Sequence, residues 1–504
     1  MIPGWRRAAV VGACLAMLVQ PTHAGAGAKA PNAGMMRLLK ILHQRGSISD
    51  EEFQELQKLA EEEADAAPVE AGPAPAAAPG SATVAAEPPA PVPAATGGGA
   101  AAAPAAAAPA TTVASSEPAK KPALGWYEKL SIRGYTQIRH HSILDQDGAD
   151  LDVPADRSVS DVDTFLIRRG RVILFGDVSE HLYLYAQTDL NASPTSGDFS
   201  LQLRDLYADI AIDKDKEFRF RVGQSKVPFG WVNLQSSQNR LQVERPDGLN
   251  SAVEGERDVG AFFYWAPKEA RQRFRTLVSQ GLRGSGDYGV FGFGAYSGQG
   301  PNRRDLNGDA HYVARLTYPF LLGSGQFFEV GAQAYTGRFV VRTEQISVNN
   351  VTLTPAQGRN GAKDERVGAS FVWYPQPFGV EAEWNFGRGP QLSSDGTRIN
   401  SSSLHGGYVQ LSWRFQDLAA AGYKLGEATT FSRWNYFDGG RKFGRNASED
   451  EVNEIDIGIE WQPIPAVELM LAYTPTFTRS NTSGYPFLRT TSAHRIGLQL
   501  QFNY

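Results

Sequence analysis

The sequence predicts an all-β protein: a transmembrane antiparallel β-barrel of sixteen strands, or of eighteen if one irregular stretch adds a hairpin. Three observations predict it. The chain opens on an export signal. No later stretch holds the ~18 consecutive apolar residues that a membrane helix needs. From Leu130 onward, segments of alternating polarity are separated by connections that are by turns short and long, the arrangement of barrels with short turns at one end and long loops at the other.

The elements follow in order. Residues 1–24 read as a signal peptide, with Arg6 and Arg7 ahead of an apolar run from Ala8 to Val19 and small residues at Thr22-His23-Ala24. The single cysteine, Cys14, falls inside this segment. A mature chain without thiols excludes disulfides and cysteine–zinc sites. Residues 34–63 form a helical, coiled-coil-like segment. Leu38, Leu39, Ile41 and Leu42 make one stripe, Gly46 breaks it, and Ser49 with Glu52 reads as a capping box before Phe53, Leu56 and Leu59. So short a stripe cannot bury itself alone, so it packs on copies of itself or on a partner. Residues 64–123, rich in Ala, Pro and Gly, lack the large apolar side chains of a core and form a disordered linker. The barrel takes 127–504. Net charge is −5, which advertises no nucleic-acid partner. Any preference for anions has to come from local placement.

Sixteen strands start near residues 131, 163, 181, 201, 217, 258, 288, 311, 327, 366, 379, 404, 427, 452, 467 and 494. Successive strand side chains point to opposite faces, and several segments divide cleanly. Ile496, Leu498, Leu500, Phe502 and Tyr504 oppose Arg495, Gly497, Gln499, Gln501 and Asn503. Val409, Leu411, Trp413 and Phe415 oppose Gln410, Ser412 and Arg414, and Phe218, Phe220 and Val222 oppose Arg219 and Arg221. A charge facing lipid costs ~2–4 kcal/mol at the midplane, so the polar faces belong to the lumen. The stretch 271–283, where Arg271, Arg273 and Arg275 alternate, reads as a long turn, an extension of its neighbours or half of the extra hairpin.

A barrel of this size encloses water unless a loop narrows it. The candidate is 227–256, which follows Pro228, a residue that cannot donate to a ladder and ends the strand. It holds Arg240 and Arg245 with acids of both kinds. Two readings stay open: a loop folded into the pore, or an external loop with solvated charges. Arginines at i, i+2 on one strand, as in Arg169/Arg171 and Arg219/Arg221, make guanidinium rungs about 7 Å apart. Rings of Arg or Lys are how anion pores select. The competing reading is that Arg169 and Arg171 pair with lumen acids such as Asp189, Asp205 or Asp209 and brace the wall. Arg168 stands at opposite parity to Arg169, so one of them faces outward unless a bulge intervenes.

The run Arg221-Val222-Gly223-Gln224-Ser225-Lys226-Val227-Pro228-Phe229-Gly230 resembles a hallmark of the phosphate-selective porin O/P family. So do Leu234-Gln235-Ser236-Ser237, Glu244-Arg245, Glu256-Arg257-Asp258-Val259-Gly260, Phe165 to Arg171 and Tyr312 to Phe320, in the family order over most of 130–320. The resemblance implies a homotrimeric sixteen-strand outer-membrane porin with a loop in the pore, passing small inorganic anions such as phosphate. It places Arg168, Arg169, Lys226, Ser236 and Ser237 near the constriction. With Arg171, Arg219, Arg221 and Arg240 these are the candidate anion-binding and pore-lining residues. The chain departs from the family's long row of inward arginines, offering only pairs and a triplet. No cofactor and no metal are expected. The expected partners are outer-membrane lipid, the anions and, through the N-terminal segment in the periplasm, the cell wall. The alternatives are a general porin with an envelope-tethering extension, and a barrel lipid hydrolase, for which no nucleophile motif is present and His140 and His141 point to opposite sides.

Overall fold

A computed structural model describes residues 125–504, except 149–150, 152–157, 160–162, 193–197, 242–243, 349 and 482–487, together with Gln54. The signal peptide, all of the helical segment save Gln54, and the linker up to residue 123 lie outside the described residues. The strands are β1 Ser131–Gly148, β2 Thr164–Asp177, β3 Leu182–Ala192, β4 Phe199–Ala211, β5 Phe218–Lys226, β6 Arg257–Trp265, β7 Phe291–Tyr296, β8 His311–Leu321 and β9 Phe327–Phe339. A short hairpin follows, β10 Ile346–Val348 and β11 Val351–Leu353. Then come β12 Ala362–Trp373, β13 Phe378–Leu392, β14 Ile399–Ala420, β15 Tyr423–Gly440, β16 Glu449–Ile464, β17 Val467–Ser480 and β18 Arg489–Asn503. All but the short hairpin join one closed antiparallel barrel of sixteen strands, each beside its sequence neighbour, with β9 meeting β12 and β1 sealed against β18. No eighteenth barrel strand forms, and the hairpin β10–β11 sits within a long loop.

The alternation read in the sequence sorts lipid from lumen. Leu411, Trp413, Ile457, Phe220 and Leu498 are exposed on the outside, while Gln410, Asp456, Arg221 and Gln499 are buried within. Trp413, Trp434 and Trp461 are among the exposed aromatics of the outer face, a residue type that such barrels carry in girdles.

The stretch 271–283 is not strand. Lys268–Ser279 is an α-helix, so the alternating arginines do not share a face. Arg271 and Arg275, four apart, lie together. Arg273 turns away to Glu269 and to the Pro319 carbonyl at 3.0 Å. Ala270, Phe274 and Leu277 are buried, and their helical spacing is the amphipathic signal that the arginine triplet masks.

The loop 227–256 lies inside the barrel, not over its mouth. Of the two readings left open by the sequence, apolar burial decides for the loop folded inward. Val227, Phe229, Trp231, Val232 and Leu249 pack with Phe262, Tyr264, Phe274, Leu277, Val313, Tyr335 and Tyr408 into one core that fills the lumen beside β6–β14. At about 25 cal/mol per Å² of apolar area, seating these side chains outweighs leaving the loop in solvent.

Candidate functional site: the basic wall and its loop

The loop is fastened at three places. Gly230, at φ +87, turns the chain into the helical turn Trp231–Leu234, whose Trp231 and Val232 amides donate to the Glu383 carboxylate at 2.6 and 3.1 Å. Lys226 donates to the carbonyls of Asn233, Leu234 and Gln235 at 3.0, 3.2 and 2.8 Å. Gly248 lies flat on the wall, where a Cβ would stand 2.5 Å from backbone atoms of Gly406 and Gly407. Its carbonyl accepts from Arg366 at 3.0 Å and Asn385 at 2.8 Å.

With one side filled, open space remains along β1–β6. Three cavities of about 370, 400 and 280 Å³ stack there from the long-loop end to the short-turn end. Arg171 lines the first and second; Arg221, Tyr207 and Asp287 line the second and third. The upper cavity is mixed, with Arg168, Arg169, Arg204, Arg245 and Arg441 among Asp189, Glu244, Asp247, Glu254 and Glu256. The middle cavity sets Arg133, Arg171, Arg221, Lys226 and Arg257 against Asp205 and Asp287. The lower one gathers Lys216, Arg219, Arg271 and Arg275 with Arg221 against Asp177, Asp209 and Asp287.

Register builds much of this wall. Arg171 stands opposite Asp189 on β3, and Arg221 opposite Asp209 on β4. Their side chains pair at 3.0 and 2.7 Å, as opposite charges on one strand face do. Arg221 also lies over the Tyr207 ring, 3.9 Å from its centroid. The bracing role weighed for Arg169 and Arg171 is present in the geometry: Asp189 holds Arg171, while Arg169 pairs at 2.6 Å with Glu244 of the loop and not with a wall acid.

The parity conflict at Arg168 is solved by a bulge. Gln137 pairs with Arg169 and Ile138 with Ile167, leaving Arg168 as the extra residue. Both arginines then reach Glu244, Arg168 at 2.9 Å. Ser237 accepts from Arg171 at 2.9 Å and meets the Tyr135 hydroxyl at 2.6 Å. Ser236 lines the middle cavity. Arg219 pairs with Asp287 at 2.7 Å. Arg240 donates to the Gln235 carbonyl at 2.8 Å and pairs with Glu256. Of the candidates, Ser237 and Arg240 are absent from the linings of these three cavities.

Sequence reasoning missed Arg133, Arg204 and the tyrosines Tyr185, Tyr207 and Tyr288. Neither belongs to an i, i+2 pair: Arg133 shares β1 with Arg139, six residues on, and Arg204 is the one arginine of β4. The inward parity of Arg133, opposite the exposed Ile132, was the signal to follow. The expected absence of a long arginine row holds for any one strand, yet neighbouring strands join short pairs into a continuous basic wall.

Burial would raise the Asp287 carboxyl, but Arg219 and Arg271 more than offset it and hold it below its ordinary value. Burial opposes the charge of Glu256 likewise, and the cations around it hold its carboxyl well below the usual range.

A lipid-faced cylinder whose bore is wet, charged and narrowed by its own loop is an outer-membrane porin, a passive channel of a Gram-negative outer membrane. The phosphate-selective porin O and P family matches residues 143–502, and the chain belongs to that family. None of the curated proteins matches it. Among solved structures the fold is similar to a loop L8 deletion mutant of OmpT from Vibrio cholerae, at 9% identity over 75% of this chain and 100% of that one, TM-score 0.43. It is also similar to the anion-selective porin of Comamonas acidovorans, at 9% identity over 74% and 99%, TM-score 0.41. Salmonella typhi OmpF in complex with daunomycin is similar at 10% identity over 75% and 99%, TM-score 0.44.

Proposed function

We propose that this porin passes small inorganic anions, phosphate and related oxyanions among them, along the basic wall of β1–β6. The observation that carries the reading is the lining of the middle cavity, which presents five cationic side chains and two carboxylates to the bore, the partners Asp189, Asp209 and Glu256 standing outside that lining. In a narrow bore such an excess attracts anions and repels cations. Guanidinium forks suit tetrahedral oxyanions because each presents parallel donors. The residues proposed to contact the passing ion are Arg168, Arg169, Arg171, Arg219, Arg221 and Lys226, with Ser236 beside them. Ser237 and Arg240 hold Arg171 and the loop in place. In planar bilayers the purified protein should give a reversal potential biased toward anions. A cation-selective current would remove the anion reading and leave the porin.

A general, weakly selective porin is the second reading, favoured by the many arginines already paired with carboxylates, as in Arg171–Asp189 and Arg221–Asp209. Titrating phosphate into a chloride current separates the two: block shows a binding site, an additive response a general pore. The hydrolase reading gains nothing from histidine placement. His141 meets Ser158 at 3.1 Å inside the bore, and His140 stacks on the exposed Phe165 outside. The family resemblance supports a homotrimer, and the sequence pattern supports a periplasmic N-terminal extension that grips neighbouring copies or the cell wall. Deleting 34–123 should leave conductance intact and weaken the envelope; lost conductance would assign the extension to pore assembly instead.

A further inference from the structure

We propose that Glu256 is a resident counter-anion of the constriction, and that its carboxylate sets how weakly a passing anion is held. This rests on the anion reading above. Glu256 is 4% exposed, and four cations converge on it. Lys226 reaches Oε2 at 3.2 Å and Arg245 reaches Oε1 at 3.0 Å, while Arg240 and Arg257 pair with Oε1 and Oε2. Asp205 takes a share of Arg257 at 3.0 Å, so the group stays positive. It sits where the upper and middle cavities meet: Arg245 and Glu256 line the first, Lys226 and Arg257 the second.

The backbone shows how tightly this side chain is placed. Glu256 has φ +72, directly after Gly255 at +57. A side-chain-bearing residue in that region is uncommon and persists where its surroundings over-determine it. The chain thus accepts an unfavourable backbone to set a carboxylate among four cations.

Conduction needs sites that attract an ion and also release it. Four cations without a carboxylate would make a trap, since a free oxyanion could take several charge-assisted hydrogen bonds at once. Glu256 already occupies those donors. A passing anion is drawn in by the remaining excess charge and meets donors that are already engaged. The loop therefore supplies both the narrowing and the ion that keeps the narrowing from clogging.

The test is block of chloride current by inorganic phosphate in the full-length protein. Glu256→Gln keeps the shape and removes the charge. The phosphate concentration for half block should fall about tenfold or more, the factor expected for one unit charge within contact range of the ion. Combining Glu256→Gln with Arg240→Gln restores the charge balance and should bring half block back near the parent value. Parental half block in Glu256→Gln overturns the proposal. Should that variant fail to give a heat-stable barrel, Arg240→Gln alone carries the test. It leaves Glu256 three cations and should raise the half-blocking concentration severalfold; no change overturns the proposal. An anion-selective parent with unmoved block in the variants refutes this inference alone, whereas a cation-selective parent removes the reading beneath it.

Discussion

Arg133 offers the cleanest way to test whether charge on this wall selects ions. It lines the middle cavity, is exposed to the bore and lies over the Phe175 ring at 5.4 Å; among the described residues it has no carboxylate partner. Arg133→Gln therefore removes one charge without orphaning an acid. In water, a unit charge about 5 Å from an ion contributes about 0.8 kcal/mol. The sign is opposite for anion and cation, so their permeability ratio changes by about fifteenfold before screening. At 0.1 M salt the Debye length is about 10 Å, which leaves roughly fivefold; at 1 M it is about 3 Å, which leaves less than twofold. The assay is the reversal potential across a salt gradient in planar bilayers, run at both ionic strengths. The variant should shift toward cations at low salt, and the shift should fade at high salt. An unchanged potential at 0.1 M refutes the reasoning. A shift equally large at 1 M refutes it differently, because it would come from pore shape and not from charge.

Trp231→Ala empties a nearly unexposed site in the loop core and should cost about 3–5 kcal/mol; the expected result is a noisier, larger single-channel current from a barrel whose heat-shifted gel migration is unchanged, and a quiet parental current would mean that the loop does not depend on this core. Gly248→Val puts atoms within 2.5 Å of the Gly406 and Gly407 backbone, so the loop must leave its seat. Overpacking of this kind costs about 1–3 kcal/mol, and open-channel noise should rise in proportion to the lost anchorage. Asp287, paired with Arg219 and Arg271 at 2.7 and 2.9 Å, has its pKa depressed in the folded state. The stability it adds is then fully present above the unfolded value of about 3.9 and is lost as pH falls below that through the folded pKa. The gap in melting temperature between parent and Asp287→Asn should persist from pH 7 to about 4 and close below; a gap closing near pH 6 would contradict the ion-pair account.

The barrel was legible because its determinant is local. Alternation such as Ile496-Gly497-Leu498-Gln499 marks each strand, and lipid outside fixes which face is which. Strand ends were less visible: β1 runs through Gly148 and β15 through Gly440 because paired strands extend beyond the membrane's demand for apolar residues. The helix Lys268–Ser279 was hidden by its arginines, whose i, i+2 spacing imitates a strand, while the informative positions were Ala270, Phe274 and Leu277. The loop's destination was open because its apolar residues, Phe229, Trp231 and Leu249, follow no period; their seat is an inward aromatic face spread over several strands, with Phe262, Tyr264, Tyr296, Tyr335 and Tyr408. The arginine candidates were legible as residues, but their partners were not. Arg171 with Asp189 and Arg221 with Asp209 depend on strand register, which a single sequence does not print.

The apolar seat beneath the loop also bears on how the chain travels. Along the second half of β6, past Arg257 and Asp258, the outward Phe263 and Trp265 are matched by the inward Phe262 and Tyr264, so this half of the strand has no hydrophilic side to show while it waits in aqueous transit. It needs shelter twice, once from a carrier on the side that lipid will later cover, and once from its own neighbours 227–253 and 268–282 on the other. Docking those two segments early would halve the greasy surface a chaperone must guard, and would make the pore's narrowing a by-product of safe delivery.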